Sequence, residues 1–120
     1  MSAVQVLHDA RRYLDRVGWT QHTEVDTESR VCIVGALLSV CKAAKGCPHD
    51  GLAEPLCLLR RLIGNSVGET WNGEVGRAYN DLEAWNDRPE RTYADVVALL
   101  GTAERVAWCQ EQSATATVTA

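Results

Sequence analysis

The stretch from Val75 to Trp108 constrains the fold more than any other part of the chain. Its apolar residues fall at Val75, Ala78, Tyr79, Leu82 and Trp85, then at Tyr93, Val96, Val97, Leu100, Ala103 and Ala107. Both sets keep the three-and-four spacing of a helical face, which predicts amphipathic helices over roughly 74–85 and 93–110. Between them Trp85-Asn86-Asp87-Arg88-Pro89-Glu90-Arg91-Thr92 forms a compact connector. Pro89 pushes Arg88 out of the helical region, and Thr92 followed by Asp95 has the pattern of a capping box. So short a connector makes the two helices antiparallel neighbours, a C-terminal helical hairpin.

Earlier segments extend the helical pattern. Ser2 can cap a helix over 3–17, with Ala3, Val6, Ala10, Tyr13, Leu14 and Val17 on one face and Gly18 at its end. His8 reads as a solvated helix residue. Residues 19–25 are rich in β-branched side chains and Asp26 to Ser29 in turn formers, so a short β segment fits somewhere in 19–34, with Trp19 covering the end of the core. Val31 to Cys41 has no charge, and its Ala-Leu-Leu content together with Lys42, Lys45 and Gly46 favours a buried central helix over about 31–45 beginning near Ser29. Gly35 would let a neighbour come close. Pro55 opens a shorter helix to Ile63, with Leu56, Leu59, Leu62 and Ile63 inward and Arg60 and Arg61 outward. The expectation is an all-α domain of about five helices over 1–112, followed by a small, uncharged, flexible tail at 113–120. Its core is expected to hold Leu14, Val17, Ile33, Leu37, Val40, Leu59, Leu62, Tyr79, Leu82, Val96, Leu100 and Ala103.

Composition excludes several function classes. With 120 residues there is room for one core and not two. Twelve basic against sixteen acidic residues, with no long run of either sign, give no electrostatic footprint for nucleic acid. The terminal hairpin presents Glu74, Asp81, Glu83, Asp95 and Glu104 outward, which argues against a helix-turn-helix reader. No stretch approaches the ~20 apolar residues of a membrane span, and Met1 to Gln5 lacks the features of a secretory signal. A cytoplasmic location and reduced thiols are therefore expected for the five cysteines. Arginine greatly outnumbers lysine, which fits a GC-rich genome.

Three constellations bear on chemistry. Cys32, in the first turn of the central helix, would meet the helix dipole and unbonded N–H groups, the setting of several thiol hydrolases. It has no linked base, since His8, His22 and His49 share no local motif with it, and it lies in the most apolar stretch of the chain. Cys41, Cys47, His49 and Cys57 are four soft ligands around one loop, but their spacing is not that of a zinc knuckle, so no metal or other cofactor is expected. The pairs Asp81 with Asp87 and Glu90 with Asp95 occupy helix-surface and cap positions, and the scattered glycines make no phosphate loop.

Gly18-Trp19-Thr20-Gln21, then Val31-Cys32-Ile33-Val34-Gly35-Ala36-Leu37, then Trp85-Asn86-Asp87 with Arg91-Thr92 and Asp95-Val96-Val97-Ala98-Leu99-Leu100 together resemble a family of small uncharacterised proteins of actinobacteria and their phages. The likeness spans about Val6 to Val106. It implies kinship and no activity, cofactor or catalytic residue.

The sequence thus favours a protein-interaction or regulatory module with an unidentified protein partner, acting as monomer or homodimer. Trp85, Asn86, Asp87, Arg88 and Arg91 form the candidate surface, because a tryptophan beside amide, acid and guanidinium groups has the composition of an interaction hot spot. Stripe residues are usually core and cap residues usually caps, so the same residues more readily serve the turn alone. Thiol-dependent hydrolysis through Cys32 and a small zinc domain are the alternatives.

Overall fold

The computed structural model describes residues 2–43, 49–64 and 71–119, with side chains for 2–42, 51–64 and 77–113. Helix α1 spans Ala3–Val17. Ser2 Oγ accepts from Gln5 N at 3.1 Å, and Gly18, at φ 98°, returns its N–H to Leu14 O at 2.8 Å. The serine cap and glycine stop therefore behave as the sequence predicts. Val6, Leu7, Ala10 and Leu14 carry the inward face.

Central helix α2 spans Ile33–Ala43, beginning later than the expected start near Ser29. The cause lies in Val31, whose backbone is extended. Its N–H donates to Gly18 O at 3.0 Å, and its carbonyl accepts from Thr20 N at 2.9 Å. Single bridges join Val31 to Trp19 in parallel and to Val25 in antiparallel sense, and Asp26 to Arg30 makes the turn between. These two isolated bridges are what the 19–34 β segment amounts to.

A 3-10 turn at His49–Leu52 leads into α3, Ala53–Leu62. Pro55 sits within its first turn rather than opening it, where a missing N–H costs no hydrogen bond. Arg60, expected outward, is 4% exposed, and its Nε donates to Asp81 Oδ2 at 2.8 Å. Leu62, expected in the core, is 37% exposed. From Pro55 to Arg60, more than a full turn, α3 is covered on every side, so Arg60 is enclosed with its neighbours, while Leu62 in the last turn reaches the rim.

Helix α4 covers Trp71–Asn86 and α5 covers Tyr93–Thr119. The capping box at the start of α5 is formed in both directions: Asp95 N donates to Thr92 Oγ1 at 3.2 Å and Thr92 N to Asp95 Oδ2 at 3.0 Å. The short connector exists as expected, yet α4 packs chiefly on α3 and α2, while α5 packs on α1 and α3. The two helices of the hairpin thus lean on third elements more than on each other. α5 also continues helical through 113–119, which the sequence reading assigns to a tail. Glu104, expected outward, faces α1: its Oε1 lies 2.9 Å from His8 Nδ1, and its Oε2 accepts from Arg11 Nη2 at 3.1 Å. His8 is therefore part of a helix–helix contact. Among the described residues no helix is long and apolar enough to cross a membrane.

Leu100 is fully buried in the face of α5 that also contributes Val96, Ala103 and Ala107. Leu100→Ala is expected to cost about 2–5 kcal/mol, whereas Leu62→Ala should cost about 1 kcal/mol or less. Urea unfolding midpoints of the two variants test this, and comparable losses would contradict the packing described.

Candidate functional site

A helix start leaves its first N–H groups without intrahelical partners. At α2 they are satisfied from within the chain. Ile33 N donates to Asn86 Oδ1 at 3.2 Å, Gly35 N to Cys32 Sγ at 3.3 Å, and Ala36 N to Cys32 O at 2.9 Å. Cys32 therefore acts as the N-cap, its sulfur in the place of a serine hydroxyl. Gly35 has a separate reason: a Cβ there would come within 2.2 Å of Glu24 O, the carbonyl that accepts from Cys32 N at 3.1 Å. The Cys-x-x-Gly spacing is thus a cap followed by a gap through which the 19–25 segment reaches the helix.

Asn86, last residue of α4, is 0% exposed and ties three segments together. Its Oδ1 accepts from Trp19 Nε1 at 2.7 Å as well as from Ile33 N, and its Nδ2 donates to Thr20 O at 3.1 Å and to Asp87 Oδ1 at 3.0 Å. Gln21 Nε2 reaches over the turn to Asn86 O and Arg88 O, both at 2.9 Å. Asp87 Oδ1 accepts from His22 N at 2.8 Å, holding His22 at φ 69°, a left-handed conformation that histidine adopts more readily than most residues. Arg91 lies 3.8 Å above the Trp85 ring, and its Nε donates to Trp85 O at 2.9 Å. Trp19 stacks on Tyr93, whose hydroxyl donates to Asp15. Gly18 to Gln21, Cys32 to Gly35 and Trp85 to Asp95, far apart in the chain, form one clasp.

A family model matching residues 1–106 decides the kinship. The chain belongs to DUF6197, a family of unknown function. No curated protein and no solved structure matches it.

Within the clasp the sequence-derived candidates take different positions. Arg88 alone of the five is exposed; Trp85, Asp87 and Arg91 are half-buried, and Asn86 is enclosed. The exposed amide expected at Asn86 is thereby corrected: its hydrogen bonds are spent inside, because a buried amide must pair both its oxygen and its nitrogen. Cys32 is 3% exposed. Burial pushes its thiol up, and the carboxylates of Glu83 and Asp87 push the same way against the N–H groups of Gly35 and Val34. A thiol so placed stays protonated at neutral pH and is a weak nucleophile. Of the possible zinc ligands, Cys41 and Cys57 are buried core residues, Cys47 lies outside the described residues, and nothing is described of the His49 side chain.

A second feature escaped the sequence. Along α1 and α5 runs an open groove of about 670 Å³ lined by Val4, Arg11, Ala98, Gly101, Arg105 and Trp108, among others. Trp108 is 54% exposed. Periodicity gave no warning, because Trp108 directly follows the buried Ala107 and falls beside the apolar stripe, not on it.

Asn86 and, one turn before it, Glu83 each give a prediction. Asn86→Ala orphans the Trp19 indole N–H and the Ile33 N–H together, so it should cost about 3–5 kcal/mol in chemical unfolding, well beyond an average substitution. Glu83 behaves differently: burial, then Glu24 and Asp87, raise its carboxyl above the ordinary value of 4.5. A raised carboxyl means the folded state binds the proton more tightly, so the ionised form weakens the fold at neutral pH and the penalty fades below the unfolded value. Glu83→Gln should therefore raise the melting temperature at pH 7 and leave it unchanged near pH 4; equal effects at both would refute the assignment.

Proposed function

We propose that this protein is a protein-interaction module of a bacterium or its phage, acting in the cytoplasm, and that its docking face is the groove between α1 and α5. The observation that carries the reading is Trp108, a tryptophan 54% exposed on a helix whose opposite face is fully packed. Burying a large aromatic is a main source of core and interface energy, and tryptophan and arginine are the residues most enriched among hot spots. Trp108 and Arg105 stand on the same groove. The clasp supports the reading from the other side. Its polar groups are consumed in joining Trp19, Cys32 and Asn86, which leaves the connector to offer a partner chiefly Arg88 and its neighbours.

The thiol-hydrolase alternative has less support, since Cys32 is enclosed, caps α2 and sits beside carboxylates that disfavour its thiolate. The test places a photo-crosslinking amino acid at position 108 or at position 88 in cells of the natural host. Adducts at 108 and none at 88 are expected. Adducts at 88 alone would move the docking face to the connector, and none at either position would end the binding-module reading.

A further inference from the structure

Any partner that seats on Trp108 must also cover the charged side chains beside it. Among the described residues three of these line the groove: Arg11, Glu104 and Arg105. The first two are matched within the chain, since Arg11 Nε and Nη2 donate to Glu104 Oε2 at 3.3 and 3.1 Å, and Glu104 Oε1 lies 2.9 Å from His8 Nδ1. Arg105 is not. Its Nη2 donates to the uncharged hydroxyl of Thr102 at 3.3 Å, and among the described residues it meets no carboxylate. It also borders a second hollow of about 460 Å³ on the same helix, lined by Val106, Cys109, Gln110 and Ser113. The exposed guanidinium thus belongs to both hollows, with Val4, Val97 and Trp108 in the first and Val106 and Cys109 in the second. An arginine without a carboxylate is ordinary in open water, where solvent satisfies it. At the junction of two largely apolar hollows it sets a condition on whatever fills them.

Covering a guanidinium with apolar atoms alone takes it out of water with nothing in exchange, a cost that opposes the gain from burying Trp108. The cost disappears when the partner brings the counter-charge. We propose that the partner of this groove is a protein segment with a carboxylate between two large apolar side chains, the carboxylate closing on Arg105 and the apolar groups entering the two hollows that Arg105 borders. The inference rests on the docking face proposed above and adds the chemistry of its partner. A carboxylate suits the position because the planar guanidinium can give it two parallel hydrogen bonds, which fix orientation as well as charge. A nucleic acid suits it less, because the chain carries a net charge of -4 and one unmatched cation makes no track for a phosphate backbone. Trp108 supplies the apolar anchor and Arg105 the selectivity, since a segment with lysine at the central position meets like charge there.

Selection of a random displayed peptide library on the full chain in reducing buffer, with Trp108→Ala as the counter-selection, tests this. Both positions are exposed, so the variants should keep the circular dichroism of wild type. Peptides that bind wild type and not Trp108→Ala are expected to share an aspartate or glutamate flanked by large apolar residues. In fluorescence anisotropy of one such synthetic peptide, Arg105→Gln and the amide form of the peptide's acid should each weaken binding about tenfold, and the two together no more than either alone. Arg105→Glu should select peptides with lysine or arginine at the same place. Trp108-dependent peptides that lack an acid, or that bind Arg105→Gln as tightly as wild type, overturn the inference and leave the docking face standing. A library that yields no Trp108-dependent peptide overturns it too, and the docking face then stands or falls on the crosslink at 108. Sedimentation of the chain alone as a dimer that Trp108→Ala dissociates would assign the face to a second copy and likewise overturn the inference.

Discussion

The architecture depends on one amide. Asn86 closes α4, caps α2 through Ile33 N, and holds the Trp19 indole and the Thr20 carbonyl, so that three segments distant in sequence meet on one amide oxygen and one amide nitrogen with no exposure. An aspartate could accept the same two hydrogen bonds but could not donate to Thr20, and it would bring a charge beside Asp87. A glutamine would have to fold an extra methylene into a space already filled. The residues flanking Asn86 are arranged to keep it dry: Gln21 bridges above, and Trp19 stacks on Tyr93 at its side.

Capping explains why a cysteine stands at the start of the central helix. Sulfur is a weak acceptor, yet in the most apolar part of the molecule a thiol caps Gly35 N without the desolvation cost of a carboxylate. The same burial that makes it a suitable cap makes it a poor thiolate. Structural and catalytic demands on such a residue pull in opposite directions, and here the environment serves the first.

α5 joins the two halves of the molecule's character. One face carries Val96, Leu100, Ala103 and Ala107 into the core and Glu104 onto His8 and Arg11 of α1. The other carries alanines, a glycine, an arginine and a tryptophan toward water.

Much of this protein was determined by sequence alone. Helical periodicity, the Ser2 cap, the Gly18 stop and the Thr92–Asp95 box are local, because each rests on interactions within about four residues, and all stand where the pattern puts them. The five helices and most of the core follow from the same short-range rule. What the tertiary structure decided were the long-range partners: Arg60 turned inward to Asp81, Glu104 turned to α1, the late start of α2 imposed by Val31, and above all Asn86 taken from a turn surface into the interior. Sequence spacing fixes which residues share a helical face. It carries no information on what a neighbouring segment, sixty residues away, sets against that face, and burial of a polar side chain becomes favourable only once those distant donors and acceptors are in place.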